Sequence, residues 1–117
     1  MGHVWIDVVI RSPDMGKSMS LKALIDTGAT LTVVPRKIVE ELKPPSIGKR
    51  VATTAKGVAE FDEYLGVIEI MGRKAYSHML VSDEINVVLI STATLEILGF
   101  EIDPATGELR EARIFLL

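Results

Sequence analysis

Short runs of β-branched and other apolar residues, separated by turn-forming residues, recur along the whole chain. Such runs predict strands, because branched side chains pack well on a pleated surface. A fully apolar run also predicts a strand that is buried on both faces, and residues 87–90 form one. The predicted strands cover residues 4–10, 20–25, 31–34, 64–71, 75–81, 87–90 and 113–117, with a further hairpin of small side chains over 51–61.

Two segments have helical spacing instead. The first covers residues 35–42 and begins with Pro35, a residue favoured at the first helical position. The second covers residues 92–98, preceded by the N-cap residue Ser91 and followed by Gly99, where a left-handed C-cap is expected. The pattern as a whole therefore predicts an all-β fold with one or two short helices.

Composition limits the possible functions. The chain of 117 residues is 48% hydrophobic and 25% charged, with a net charge of −3, which indicates one packed domain over residues 1–117. Its basic residues are scattered along the sequence, whereas nucleic-acid-binding proteins concentrate them on one face, so we expect no nucleic-acid partner. The absence of cysteine excludes disulfides and thiol nucleophiles.

Other signals are missing from the sequence. No apolar run reaches the roughly 18 residues that a membrane helix needs, and the N-terminus has no signal-peptide pattern, so we expect no membrane partner and a cytoplasmic location. The two histidines, His3 and His78, have no partner pattern and are expected on the surface or in strands. Without clustered histidine and acidic residues, we expect no metal and no cofactor. Acidic residues at 40–41 and 60–63 are expected on solvated faces.

Asp26-Thr27-Gly28 is the strongest candidate for a functional site. It occurs once, directly after the apolar strand 20–25, and Ala29 and Thr30 follow it. This order favours a carboxylate held on a tight loop at the end of a strand. The alternative is an ordinary turn aspartate, because Asp followed by Gly is common in turns of any β protein.

The segment and its surroundings resemble the retropepsin-like aspartic proteases, the family of the retroviral proteases, and most closely its small prokaryotic and archaeal single-domain members. The resemblance covers nearly the whole chain, from the Asp26 loop through a flap hairpin to the segment at 95–104. It implies a dimeric half-barrel in which Asp26 is catalytic and Thr27 hydrogen-bonds to its symmetry mate. Gly28 and Ala29 would support the loop.

The resemblance also implies where a substrate binds. Pocket positions would be Thr30, Val87 and Leu89, whose apolar members predict a preference for hydrophobic residues around the scissile bond. The flap tip would comprise Thr53, Thr54, Ala55, Lys56, Gly57 and Val58.

The sequence departs from the family pattern at three positions. The family usually has a glycine where Ser91 stands, and retroviral members often pair an acid and an arginine at the positions of Thr30 and Thr92.

One copy of the acidic loop has a mechanistic consequence. Hydrolysis through water needs a general base and a general acid, and two neighbouring carboxylates that share a proton provide both. The chain offers only Asp26, so the protease hypothesis requires a homodimer with Asp26 of each subunit at a twofold axis. Residues 4–10 and 113–117 are the expected interface strands, and Trp5 is expected in the core or at that interface. The alternative is a catalytically silent peptide-binding or dimerisation module of the same fold.

Overall fold

The computed structural model describes residues 4–113 and residue 116. In this part of the chain, strands account for most of the regular structure, and the two predicted helices are confirmed. The prediction of a strand over 113–117 lies largely outside the described residues. The elements are β1 (Trp5–Arg11), β2 (Ser18–Asp26), β3 (Thr32–Pro35), α1 (Arg36–Leu42), β4 (Ser46–Thr54), β5 (Gly57–Ile70), β6 (Arg73–Ser82), β7 (Val88–Ser91), α2 (Thr92–Leu98), β8 (Phe100–Ile102) and β9 (Leu109–Glu111).

The strands β1 to β7 form one sheet in the order β1-β2-β7-β3-β6-β5-β4. The strand β1 also pairs with β5, from Val9 opposite Glu69 to Arg11 opposite Val67, so the sheet curls back on itself. This closure leaves β4 outside the ring and protects the edges of the other strands. The short strands β8 and β9 form a separate pair. The mostly-β fold with two short helices is therefore confirmed.

The core lies inside the closed sheet and under the two helices. Aliphatic side chains fill it, as the scarcity of aromatic residues in the sequence indicates. The helices contribute their apolar faces, including Leu42 of α1 and Leu98 of α2. The largest completely buried side chains include Ile10, Ile68, Ile70, Met79, Ile90 and Leu95. No helix among the described residues is long and apolar enough to cross a membrane.

Three details of the strand predictions were wrong. The strand β5 runs unbroken through the charged residues between Phe61 and Tyr64, so the two predicted hairpins share it, and β4 begins at Ser46. The apolar run of β7 is not buried on both faces, because its alternate residues point to opposite sides of the sheet. Ile90 is fully buried in the core, but Leu89 is only half-buried on the other side. Trp5 is 51% exposed, so of its two predicted places, the core and the dimer interface, only the interface remains, and that stays a prediction.

The C-terminus of α2 is fastened by Arg73 at the start of β6. Gly99 has a φ of +85°, and its N–H donates to the carbonyl of Glu96. The Arg73 guanidinium donates to the carbonyls of Leu98 and Gly99 at 3.2 Å each and lies 4.8 Å from the centroid of the Phe100 ring. A Cβ on Gly99 would lie 2.6 Å from Nη1 of Arg73, so only glycine fits this cap without displacing the guanidinium.

We expect Gly99→Ala to destabilise the fold more than Gly72→Ala. Both glycines have left-handed backbone, with φ of +85° and +81°, but a Cβ on Gly72 meets no atom within 4 Å. The backbone cost, about 1 kcal/mol, should therefore apply to both variants. Displacement of Arg73 should add about 1 kcal/mol to the Gly99→Ala loss alone. Urea unfolding of both variants measures the difference, and equal losses would show that Arg73 contributes nothing to the cap.

Candidate active site

Asp26 is the last residue of β2 and lies beside β7. In the parallel pairing of these strands, Asp26 is opposite Ser91. The Asp26 Oδ1 atom accepts the N–H of Gly28 at 2.9 Å, and the Asp26 carbonyl accepts the N–H of Ala29 at 3.3 Å. Thr27 and Gly28 are exposed, whereas Asp26 is half-buried. The segment 26–31, here called the acidic loop, therefore holds a carboxylate in a fixed orientation at the surface.

An apolar surface adjoins this carboxylate. The strand register places Leu24 of β2 opposite Leu89 of β7, and Leu89 opposite Val33 of β3. All three side chains are half-buried, on the sheet face opposite the core, and Val87 is half-buried just before β7. Asp26 follows Leu24 by two residues and so lies on the same side of β2. Of the predicted pocket residues, Leu89 is thus two positions along the sheet from Asp26 and Val87 is two positions further, while Thr30 of the acidic loop is exposed.

The β4–β5 hairpin, here called the flap, turns at Ala55 and Lys56. The Thr54 hydroxyl stabilises this turn, since its Oγ1 accepts the N–H of Lys56 at 3.1 Å and donates to the Gly57 carbonyl at 3.0 Å. The Lys56 ammonium lies 3.1 Å from the carboxylate of Glu84 in the β6–β7 loop. That loop leads directly into Val87 and β7. The β6–β7 loop thus contacts the flap turn through Glu84 and continues into the apolar surface at Val87. All six predicted flap-tip residues are exposed.

Beneath the acidic loop lies a group of buried hydroxyls that the sequence did not reveal. Thr32 and Thr94 are 62 residues apart in sequence, yet their Oγ1 atoms are 2.9 Å apart. The Ser91 hydroxyl is 3.0 Å from the Thr94 hydroxyl. At the positions where retroviral members often carry an ion pair, this chain has the neutral residues Thr30 and Thr92. The buried hydroxyls of Thr32, Ser91 and Thr94 lie where β3 and β7 meet α2.

An ion pair at the base of the flap is the second feature that sequence reasoning missed. Glu63 of β5 is 3% exposed, so its expected place on a solvated face was wrong. Its carboxylate accepts two hydrogen bonds from the Arg50 guanidinium of β4, at 2.8 and 3.0 Å, and one contact from His78 Nδ1 of β6. Arg50 lowers the pKa of Glu63 from its usual 4.5 to about 2, with His78 helping and burial opposing. The carboxylate therefore stays charged in moderate acid.

In the described part of the chain, no metal-binding cluster accompanies Asp26. Two surface depressions, of about 470 and 560 Å³, are lined by residues away from the acidic loop. Among residues 4–113 and 116, no group of three or more histidine or acidic side chains could hold a metal ion. The carboxylate thus lies on an open surface of the subunit, where a second subunit could complete a groove.

Comparisons with solved structures show the same fold. The chain aligns with EIAV protease complexed with the inhibitor HBY-793 at a TM-score of 0.67 and 24% identity, covering 98% of this chain and 94% of that one. With the solution structure of simian foamy virus (mac) protease, the TM-score is 0.60 at 25% identity, over 81% of this chain and 94% of the other. A foamy viral protease-reverse transcriptase in complex with an RNA/DNA hybrid gives a TM-score of 0.59 at 17% identity, over 95% of this chain and 13% of the other.

Sequence comparison identifies the family. No curated protein sequence matches the chain significantly. The family description of the Spumavirus aspartic protease (A9) matches residues 16–99, which include the acidic loop, the flap and α2. This match spans most of the chain and agrees with the fold of the viral proteases. The chain therefore belongs to the Spumavirus aspartic protease (A9) family.

Proposed function

We propose that this protein is an aspartic endopeptidase that acts as a homodimer, with Asp26 of each subunit at a shared active site. The single observation that carries the proposal is the Asp26 carboxylate, oriented by the Gly28 N–H at the open end of β2 in a chain of this family. One carboxylate per subunit cannot serve as base and acid together in one step. Two subunits related by a twofold axis supply the pair. The finer kinship to small prokaryotic and archaeal members stays a prediction.

The chemistry of such a pair needs no cofactor. One Asp26 carboxylate takes a proton from a water molecule while the water oxygen attacks the peptide carbonyl carbon. The second Asp26, protonated beforehand, gives its proton to the carbonyl oxygen, so a neutral gem-diol forms. When the gem-diol collapses, the C–N bond breaks and the amine leaves with a proton from the first Asp26, while the second regains one from a hydroxyl. The pair ends in its starting protonation state.

The surroundings of Asp26 indicate the class of substrate. Leu24, Val33 and Leu89 form an apolar wall on the same face as Asp26. The exposed strands of the flap can pair with an extended peptide through main-chain hydrogen bonds, and the wall can receive its side chains. We therefore propose cleavage of extended peptides between hydrophobic residues. Thr30, Val87 and Leu89 would line the pockets, and Thr27 would hydrogen-bond across the dimer axis.

The proposal predicts cuts at hydrophobic junctions in a randomised peptide library incubated with the purified protein between pH 3 and 8. Two carboxylates that share one proton give a bell-shaped dependence of rate on pH. Mass spectrometry identifies the cut sites, and Asp26→Ala serves as the control, in which all cuts should vanish. If a folded, dimeric protein binds library peptides without cutting them, the peptide-binding module replaces the protease as the better description.

A further inference from the structure

The buried hydroxyls beneath the acidic loop form a connected set, here called the hydroxyl ring, made of Ser91, Thr94 and Thr32. Their residues are 1%, 6% and 0% exposed. Thr94 Oγ1 lies between the other two hydroxyls, 2.9 Å from Thr32 Oγ1 and 3.0 Å from Ser91 Oγ. The Ser91 N–H completes the ring by donating to Thr32 Oγ1 at 3.3 Å.

The ring joins three elements that surround the acidic loop. Ser91 ends β7 and lies opposite Asp26, where the loop begins. Thr32 begins β3, directly after the loop ends. Thr94 lies in the first turn of α2, and its N–H caps the helix by donating to Ser91 Oγ at 3.1 Å. Both ends of the acidic loop are therefore tied, through Thr94, to the helix.

The chemistry of the ring suits a positioning role. Three short side chains with hydrogen-bonded hydroxyls leave little rotational freedom, and a fully paired polar network in a buried site is rigid. Among the described residues, no buried side-chain nitrogen or oxygen atom lacks a hydrogen-bond partner, so the ring is complete without an added ligand. Its parts carry no charge and would not perturb the ionisation of a nearby carboxylate pair by Coulomb interaction.

We propose that the hydroxyl ring fixes the position of the Asp26 carboxylate, with Thr94 as the positioning residue that connects both ends of the acidic loop to α2. The inference rests on the proposed function, because it concerns the distance between the two Asp26 carboxylates of the dimer. A displacement of reacting groups by about 1 Å can lower a rate by roughly a hundredfold. The separation of the carboxylates also sets how strongly one ionisation opposes the other.

Thr94→Val and Thr94→Ser test the proposal as a matched pair. Valine has nearly the shape of threonine without its hydroxyl, and the backbone N–H of residue 94 can still cap α2. We expect Thr94→Val to lower kcat about tenfold while KM changes by less than about twofold, because the substrate wall is untouched. The two midpoints of the bell-shaped pH profile should also change their separation. Thr94→Ser, which restores a hydroxyl, should recover most of kcat and the wild-type profile.

Ser77→Ala controls for loss of a buried hydroxyl elsewhere. Ser77 is 7% exposed, and its hydroxyl donates to the carbonyl of His78 in its own strand and is not part of the hydroxyl ring. All rates are measured on dimeric protein well below its unfolding temperature. If Thr94→Val does not fold, Ser91→Ala carries the same test, since it removes another ring hydroxyl from a small side chain.

The outcomes separate this inference from the proposed function. Loss of kcat with an altered pH profile in Thr94→Val, and neither change in Ser77→Ala, supports the positioning role. Unchanged kcat and pH profile in a Thr94→Val protein that is merely less stable overturns it, while peptide cleavage by the wild-type protein still stands. A wild-type protein that shows no cleavage dependent on Asp26 overturns the proposed function itself.

Discussion

Mixing the wild-type protein with a roughly tenfold excess of Asp26→Asn should lower the peptidase activity of each wild-type subunit about tenfold, because most wild-type subunits then pair with a variant subunit. Such a mixed dimer has one carboxylate and one amide, and the amide can neither take up nor share the catalytic proton. Asp26→Asn alone should lose activity by about 10⁴-fold or more. Asparagine is preferable to alanine here, since its side-chain oxygen can still accept the Gly28 N–H.

The measurement is a titration of variant into a fixed amount of wild-type protein, after incubation long enough for subunits to exchange. Excess Ser77→Ala protein is the matched control, because its acidic loop is intact and its mixed dimers should remain active. Activity that stays proportional to the wild-type protein alone, whatever the excess of Asp26→Asn, would show that a single subunit suffices. The requirement for two Asp26 carboxylates would then be wrong.

Removal of Arg50 should have the largest effect on stability. Arg50→Ala leaves the buried Glu63 carboxylate without its main partner, and an uncompensated buried charge is strongly destabilising. Removing the other charge of the pair by Glu63→Gln should destabilise the fold less. Arg50 is half-exposed, so water can hydrate its guanidinium when Glu63 no longer pairs with it. We expect Arg50→Ala to lower Tm at neutral pH by about 10 °C or more. Differential scanning calorimetry measures this shift.

The effect of Arg50→Ala should depend on pH in a defined direction. The pKa of Glu63 falls from 4.5 to about 2 on folding, so its stabilising ion pair is complete above pH 4.5 and is lost as the pH falls from there through 2. The difference in Tm between the wild-type and Arg50→Ala proteins should therefore shrink over this interval. Lys49→Ala is the matched control: the neighbouring Lys49 pairs with Asp62 at the surface, and its loss should change Tm by no more than about 3 °C. Equal shifts for both variants at every pH would contradict a special role for Glu63.

The sequence predicted local structure better than the partners of individual side chains. Strands with β-branched runs and the capped helix before Gly99 could be predicted, because neighbouring residues determine them. The course of β5 through Asp62 and Glu63 could not, because adjacent charged residues look like a turn until a partner strand supplies Arg50 and His78. Their hydrogen bonds to Glu63 span 13 and 15 residues. The pair β8–β9 was missed because three residues are too few to show a period.

In the candidate site, too, features set by neighbouring residues could be predicted, and partners distant in sequence could not. Asp26 and its loop were predicted from contiguous residues, and the resemblance supplied the flap and the pocket. Thr32 and Thr94 were not predicted, because a buried hydroxyl in a strand or helix has no sequence signature of its own. The importance of Ser91 was visible only as a departure from the family glycine. Its partners, 59 residues away at Thr32 and 3 away at Thr94, required the fold.

The unbroken course of β5 bears on how a substrate could enter. This strand of 14 residues begins at the flap turn, where residues are exposed, and ends at Ile70 in the core. Because β5 is continuous, the flap has no loop hinge on that side. Opening of the flap would require β5 to bend near Glu63, where its burial begins. The partner strand can yield at the irregular pairing between Ser46 and Gly48. Opening would then bend β5 and shift β4 relative to it. The ion pair between Arg50 and Glu63 would oppose that motion, because it joins the two strands.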